Sequence, residues 1–126
     1  MDELVVQRRV HYTQFTNTFR DNENVTAQEK YLYMVLCSFA GDNGYAFPSI
    51  ELLAKRTSNS PSTVRRLLKS LEEKGGLYIC KRYDKTTNRQ LSNRYYLIDT
   101  NYYTGEFDTS LLEPLKLRFP DKIIYE

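Results

Sequence analysis

Histidine is almost missing from this chain: one residue, His11, in 126. A lone imidazole rules out a multi-histidine metal site and any paired-histidine catalytic motif. Cysteine is nearly as scarce. Cys37 and Cys80 form no CxxC pair, so buried free thiols in a reducing compartment are expected rather than a disulfide. Tryptophan is absent, and only five glycines are present, with no GxxxxGK[ST] loop or glycine-rich phosphate cradle among them. No apolar run approaches the ~20 residues of a membrane helix. The opening "MDELVVQRRV" lacks the apolar core of a signal peptide, so a cytoplasmic protein is expected. Nothing here assembles a catalytic centre. The chain reads as a non-enzyme with no metal, no cofactor, no small-molecule substrate and no membrane partner.

What is present suits one soluble domain with a real core: 40% hydrophobic and 27% charged residues. The net charge of +2 conceals a segregation. From Ala54 to Asp99 there are eleven Lys and Arg against four acids, which leaves the two flanks acidic. A basic middle predicts a polyanionic partner touched by that region.

Residues 1–24 carry no clear period. Val10–Tyr12 could form a short strand, and Phe15 and Phe19 have helical spacing, so this stretch reads as an arm packed on the core. The next stretch is clearer. Thr26 and Glu29 form a capping box, and Leu32, Val35, Leu36 and Phe39 follow at helical spacing, which predicts a helix over 27–40 ended by Gly41. Ser49 caps a short helix over 50–57 whose Ile50, Leu53 and Ala54 share a face. After "SNS", Ser60 caps a third helix with Pro61 at its first position, where the missing N–H is no loss. Val64, Leu67, Leu68 and Leu71 line its inner face, and Gly75 and Gly76 end it.

Two helices joined by a turn of about four residues make a helix-turn-helix arrangement. Ala54 is the small residue that lets the second helix cross the first closely. The turn position four residues later, often glycine, is Ser58, and Asn59 is expected to take the left-handed conformation instead. A plain helical hairpin would share these features, but "GLYICKRYD" and "LSNRYYLID" follow, two β-rich runs joined by the basic loop "KTTNRQ". Leu77, Ile79 and Tyr83 on one run, and Tyr95 and Leu97 on the other, alternate so that each strand buries one face. The predicted fold class is α+β: a winged helix-turn-helix of three helices and a β-hairpin wing.

The stretch from Val25 to Ile98 is similar to the winged helix-turn-helix modules of plasmid and phage replication proteins in Gram-positive bacteria. The resemblance rests on the "T-x-x-E-K" helix opening, "FPSIELLA", "S-x-S-T-V-R-R-L-L-K-x-L-E" and the Gly76-Leu77-Tyr78-Ile79 exit. It implies a DNA-binding role in replication, DNA transfer or transcriptional control of a mobile element.

The residues point to DNA on their own account. The inner face of the third helix leaves Ser62, Thr63, Arg65, Arg66 and Lys69 outward, and an α-helix fits the major groove. Arg65 and Arg66 can fork onto guanine, Ser60, Ser62 and Thr63 sit where a helix N-terminus favours phosphate, and Lys69 suits the DNA backbone. In the wing, Lys85, Asn88 and Arg89 could enter the minor groove or hold a phosphate, with Arg94 and Lys81 lower on the hairpin. Tyr31, Tyr33, Tyr95 and Tyr96 are read as core fillers. The expectation is a sequence-specific binder of double-stranded DNA acting as a homodimer on paired half-sites. The alternative is a winged helix facing protein in a larger assembly. Three divisions are expected: the arm 1–24, the winged domain 25–99 and a C-terminal extension 100–126. In the last, Thr109 or Ser110 could cap a short helix broken near Pro114, "DKIIYE" could be a strand, and the whole could pack on the arm or serve as a dimer contact.

Overall fold

The computed structural model describes residues 13–126. The predicted strand at Val10–Tyr12 and His11 lie outside them. Five α-helices and four strands are formed in this part: α1 Asn17–Arg20, α2 Ala27–Ala40, α3 Ile50–Thr57, α4 Pro61–Glu73 and α5 Leu112–Arg118, with β1 Tyr45–Ala46, β2 Leu77–Tyr83, β3 Gln90–Leu97 and β4 Ile123–Tyr125. The winged helix-turn-helix is there as expected: α2, α3 and α4 are its helices, and β2 and β3 are its hairpin.

The caps start each helix as their chemistry dictates. Thr26 and Glu29 close the capping box of α2, and Ser49 accepts from the Leu52 amide at 3.1 Å. Ser60 accepts from Thr63 with Pro61 at the first position of α4. Each such cap contributes about 1 kcal/mol. The turn between α3 and α4 differs from expectation. Ser58 itself takes the left-handed conformation, φ 57° and ψ 39°, and its N–H reaches back to the carbonyls of Ala54 and Lys55. Asn59 then donates to the Ala54 carbonyl at 3.0 Å.

The strands form one sheet in the order β1-β3-β2-β4. β1 and β2 run antiparallel to β3, and β4 runs parallel to β2 along its other edge. Each strand was expected to bury one face, yet the base of the hairpin buries both. Leu77 and Tyr95 join Leu32, Leu36, Leu53, Val64, Leu67 and Leu71 in the helical core, with Ile79 and Leu97 packed against it. Tyr78, Cys80, Tyr96 and Ile124 form a second core under α5, where Leu112, Leu115 and Phe119 cover them. The segment after β3 therefore serves as a second layer. Tyr83 belongs to neither core. A register shift between Cys80 and Arg82 breaks the alternation, and Tyr83 stacks on Tyr125 of β4 with ring centroids 5.8 Å apart.

Three further departures have local causes. The buried stripe of α2 runs through Glu29, Leu32, Tyr33, Leu36 and Ala40, so Phe39 lies at its margin and Tyr31 points away, both exposed. Pro114 does not break a helix. It sits in the first turn of α5, where amides lack intrahelical acceptors in any case. The capping residue before this segment is Asp108, which accepts from Ser110 and opens the 3-10 turn Thr109–Leu111. Residues 13–24 pack on α2 and on the chain after β3 through aromatic rings: Phe19 lies 5.2 Å from Tyr33 and 5.9 Å from Phe107. Gly105 is held so close to this layer that a Cβ would lie 2.1 Å from the Thr18 carbonyl oxygen. Cys37 is partly buried and Cys80 buried, both as free thiols.

Candidate nucleic-acid interface

The inner face of α4 is buried through Val64, Leu67, Leu68 and Leu71. Helical geometry then turns Ser62, Arg65, Arg66 and Lys69 outward, and all four are exposed. Lys69 lies about one turn, ~6 Å, beyond Arg65 on the same stripe. At the start of the helix the Ser60 hydroxyl accepts from the Thr63 amide at 3.2 Å and donates to the Thr63 hydroxyl at 3.0 Å. Ser60 is thus a cap at the positive end of the helix dipole.

Across from this helix stands the wing. Its tip is shaped by Asp84, whose carboxylate accepts from the Thr86 and Thr87 amides at 2.8 and 3.1 Å. Those two amide bonds draw the Asp84 carboxyl below the usual range, against a smaller opposing effect of desolvation. Asn88 takes a left-handed conformation, φ 59°, which Asn tolerates better than other non-glycine residues, and its N–H donates to the Asp84 carbonyl at 2.8 Å. Lys85, Asn88 and Arg89 stand exposed around this turn.

A groove of about 440 Å³ runs between helix and wing. Ser49, Ile50 and Glu51 at the start of α3 close one end, Arg65 forms a wall, and Gln90–Asn93 of β3 form the opposite wall. Tyr95 closes the floor. Burial pushes its phenol up to about 12, while Asn93 and the Arg65 charge pull the other way. Gln90, Asn93 and Glu51 were missed in the sequence, because only the hairpin register and the helix crossing bring them together. Lys55 and Arg56 are also exposed in the last turn of α3, with no more sequence signal than a cation at a helix C-terminus.

Ten of the described cations make no ion pair: the five of this face, and Lys30, Lys55, Arg56, Lys81 and Arg118. Among the described residues, ion pairs are made by Arg20, Lys74, Arg82, Arg94, Lys116 and Lys122. None of Arg65, Arg66, Lys69, Lys85 or Arg89 is in such a pair. Arg94 does not join them. Tyr95 enters the helical core, so its neighbours Arg94 and Tyr96 point to the opposite face of the sheet. There the Arg94 guanidinium lies 4.5 Å from the Tyr45 ring centroid and donates to the Tyr96 hydroxyl at 3.3 Å and to Glu126 at 3.0 Å. No group of three His, Cys, Asp or Glu among the described residues could hold a metal ion. No helix there is long and apolar enough to cross a membrane.

Three helices, a tight turn, a hairpin wing and an unpaired basic face define a winged helix-turn-helix protein. Comparison with known proteins places the chain further. Residues 23–75 match the family described as a helix-turn-helix domain. A solved N-terminal domain of a DNA-binding protein is similar over 89% of this chain and 89% of its own, with a TM-score of 0.53 and 20% identity. A solved Rep–DNA complex is similar over 89% of this chain and 90% of its own, with a TM-score of 0.51 and 19% identity. At such identities the likeness is one of fold, and it extends well beyond the family match. No curated protein sequence matches the chain.

Proposed function

We propose that the protein binds double-stranded DNA in a sequence-specific manner, with α4 in the major groove and the wing on the flanking backbone. The observation that carries this reading is the unpaired basic stripe of α4 facing a groove whose other wall is the wing. Exposed cations held without counter-charges are what a phosphate surface neutralises, with release of the DNA's condensed ions. Arg65 and Arg66 lie in the first half of the helix, from which side chains reach base edges. The fold shared with a Rep–DNA complex supports a role in replication of a plasmid, phage or conjugative element, with transfer or transcriptional control as neighbouring roles of the same module. One such module reads only a few base pairs, so a homodimer on half-sites ~34 Å apart, or a multiple of that, completes the proposal.

The test is site selection from a random duplex pool, followed by electrophoretic shift and footprinting. Arg65→Ala or Arg66→Ala costs about 1–3 kcal/mol on the selected site and much less on random duplex. Equal losses on both kinds of DNA would confine the two arginines to the backbone. No shift with random duplex at micromolar protein and low salt would turn the module toward a protein partner. A single short footprint would remove the dimer.

A further inference from the structure

The wing is tied to the rest of the molecule by one bracket at its root. Arg82 of β2 is at its centre. Its guanidinium lies 4.7 Å from the centroid of the Phe47 ring, and it donates to the Ser92 carbonyl at 2.9 Å and to the Glu126 carboxylate at 2.9 Å. The Ser92 hydroxyl donates to the Phe47 carbonyl at 2.7 Å. Glu126 accepts from Arg94 through the same oxygen at 3.0 Å. The main chain of Glu126 is held as well: its N–H donates to the Tyr83 carbonyl at 3.0 Å, and its main-chain oxygen accepts from the Lys85 amide at 2.9 Å. One acidic residue thus gathers two guanidinium groups from the two wing strands and fixes the first residue of the wing loop. Through Arg82 and Ser92 it also reaches Phe47, two residues before the cap of α3.

We infer that Glu126, with Arg82 and Phe47, is a positioning element that sets the wing against α4, so that Lys85 and Arg89 reach the phosphates beside the base-reading helix. The inference rests on the DNA-binding reading given above. A two-stranded hairpin is marginally stable alone, and a long wing swings unless its root is held. β4 widens the wing root to three strands, and the bracket locks those strands to the entry of the helix-turn-helix. Arg82 and Arg94 are each only 13% exposed as side chains, so their charges serve this lock and not the DNA.

The sign of the effect separates positioning from simple electrostatics. Glu126 is an acid close to a basic face, and removing an acid near a polyanion by itself strengthens binding. If Glu126 positions the wing, removing it weakens binding instead. The experiment measures binding of a random-sequence duplex by fluorescence anisotropy over a range of salt concentrations. The proteins compared are the full chain, Glu126→Ala, Phe47→Ala, Lys85→Ala/Arg89→Ala, the combinations of each bracket variant with the wing variant, and Arg65→Ala/Arg66→Ala. The wing variant flattens the log–log salt slope by about 0.9 for each phosphate it no longer neutralises. Glu126→Ala and Phe47→Ala flatten it by ~0.9 to ~1.8, and neither flattens it further once Lys85 and Arg89 are gone. Phe47→Ala changes no charge and keeps the test open should Glu126→Ala fold poorly.

Binding by Glu126→Ala that equals or exceeds that of the full chain overturns the inference. So does a bracket effect of undiminished size in the wing variant. A wing variant that binds with the slope of the full chain removes the wing from the DNA and the inference with it, while a loss in Arg65→Ala/Arg66→Ala that is larger on the selected site than on random duplex still upholds the major-groove reading. Failure of the unaltered protein to bind any duplex removes both.

Discussion

Glu29 offers the sharpest test of how the helices are joined, because one buried acid ties the start of α2 to the end of α4. It is 2% exposed. One carboxylate oxygen accepts from the Thr26 amide at 2.8 Å and from the Lys74 ammonium at 2.6 Å, and the other accepts from the Ser70 hydroxyl. Burial opposes the charge, but Lys74, Ser70 and Thr26 together outweigh it and hold the carboxyl down from 4.5 to about 2. That difference corresponds to about 3 kcal/mol of folding stability. Lys74 is itself 34% exposed, so water competes for its charge and the figure is an upper value. The sign follows from a depressed folded-state value. The contribution is complete above about pH 4.5, and it is lost as pH falls through about 2. Glu29→Gln keeps the shape and removes the charge. In urea unfolding it should therefore fall short of the unaltered protein by on the order of 3 kcal/mol at neutral pH, by about 1 kcal/mol near pH 3, and by almost nothing near pH 2. A deficit that stays constant from neutral pH to pH 3 would show that the carboxylate's charge is not what joins the two helices.

The crossing of α3 and α4 depends on the small buried side chain of Ala54, so Ala54→Leu should overpack it and lower stability by about 1–3 kcal/mol; an unchanged melting temperature would place the crossing elsewhere. Ser58 bears a left-handed backbone, and Ser58→Gly should raise stability by up to about 1 kcal/mol, since relief of the Cβ clash exceeds the added chain entropy. Loss of stability in thermal melts would mean that the serine side chain contributes something the turn geometry does not show. Burial pushes the Cys37 thiol up to about 12 and raises that of Cys80 as well, so neither should react with Ellman's reagent near pH 8 until the protein is unfolded. Rapid reaction of either one in the folded protein would mean that its element opens readily.

Much of the helix-turn-helix was legible because its causes are local. An N-cap serine or threonine, a glutamate three residues later, and apolar residues at 3.6 spacing all act within one or two turns of chain. Thr26 to Ala40, Ser49 to Thr57 and Ser60 to Glu73 could therefore be read directly. The outward set Ser62, Arg65, Arg66 and Lys69 followed from the same period, once Val64, Leu67 and Leu71 had been turned inward; Thr63, expected with them, is half-buried and bonded to the Ser60 cap. Even inside this region a local rule failed where two residues could serve. Ser58 and Asn59 both tolerate a turn, and it is Ser58 that takes the left-handed conformation, with its own N–H and that of Asn59 both returning to the Ala54 carbonyl.

The sheet could not be read so far. A strand's alternation says that two faces exist and not what will cover them. Tyr78, Cys80 and Tyr96 are buried because α5 and β4, which come later in the chain, fold back under the hairpin. Arg94 looks in sequence like one more cation of a basic wing. Only the register of β3 turns it to the far face, where Tyr45 and Glu126 neutralise and cover it. The groove lined by Arg65, Gln90, Asn93 and Glu51 has the same origin: three segments distant in sequence meet across a helix crossing and a hairpin. By itself, then, the sequence determined the caps, the helical stripes and the residues a basic helix would present, since backbone hydrogen bonding in a helix is settled among neighbours. Tertiary structure alone decided which cations stay unpaired, which are locked into the wing root, and how the wing stands to the helix, since each depends on contacts between residues dozens of positions apart.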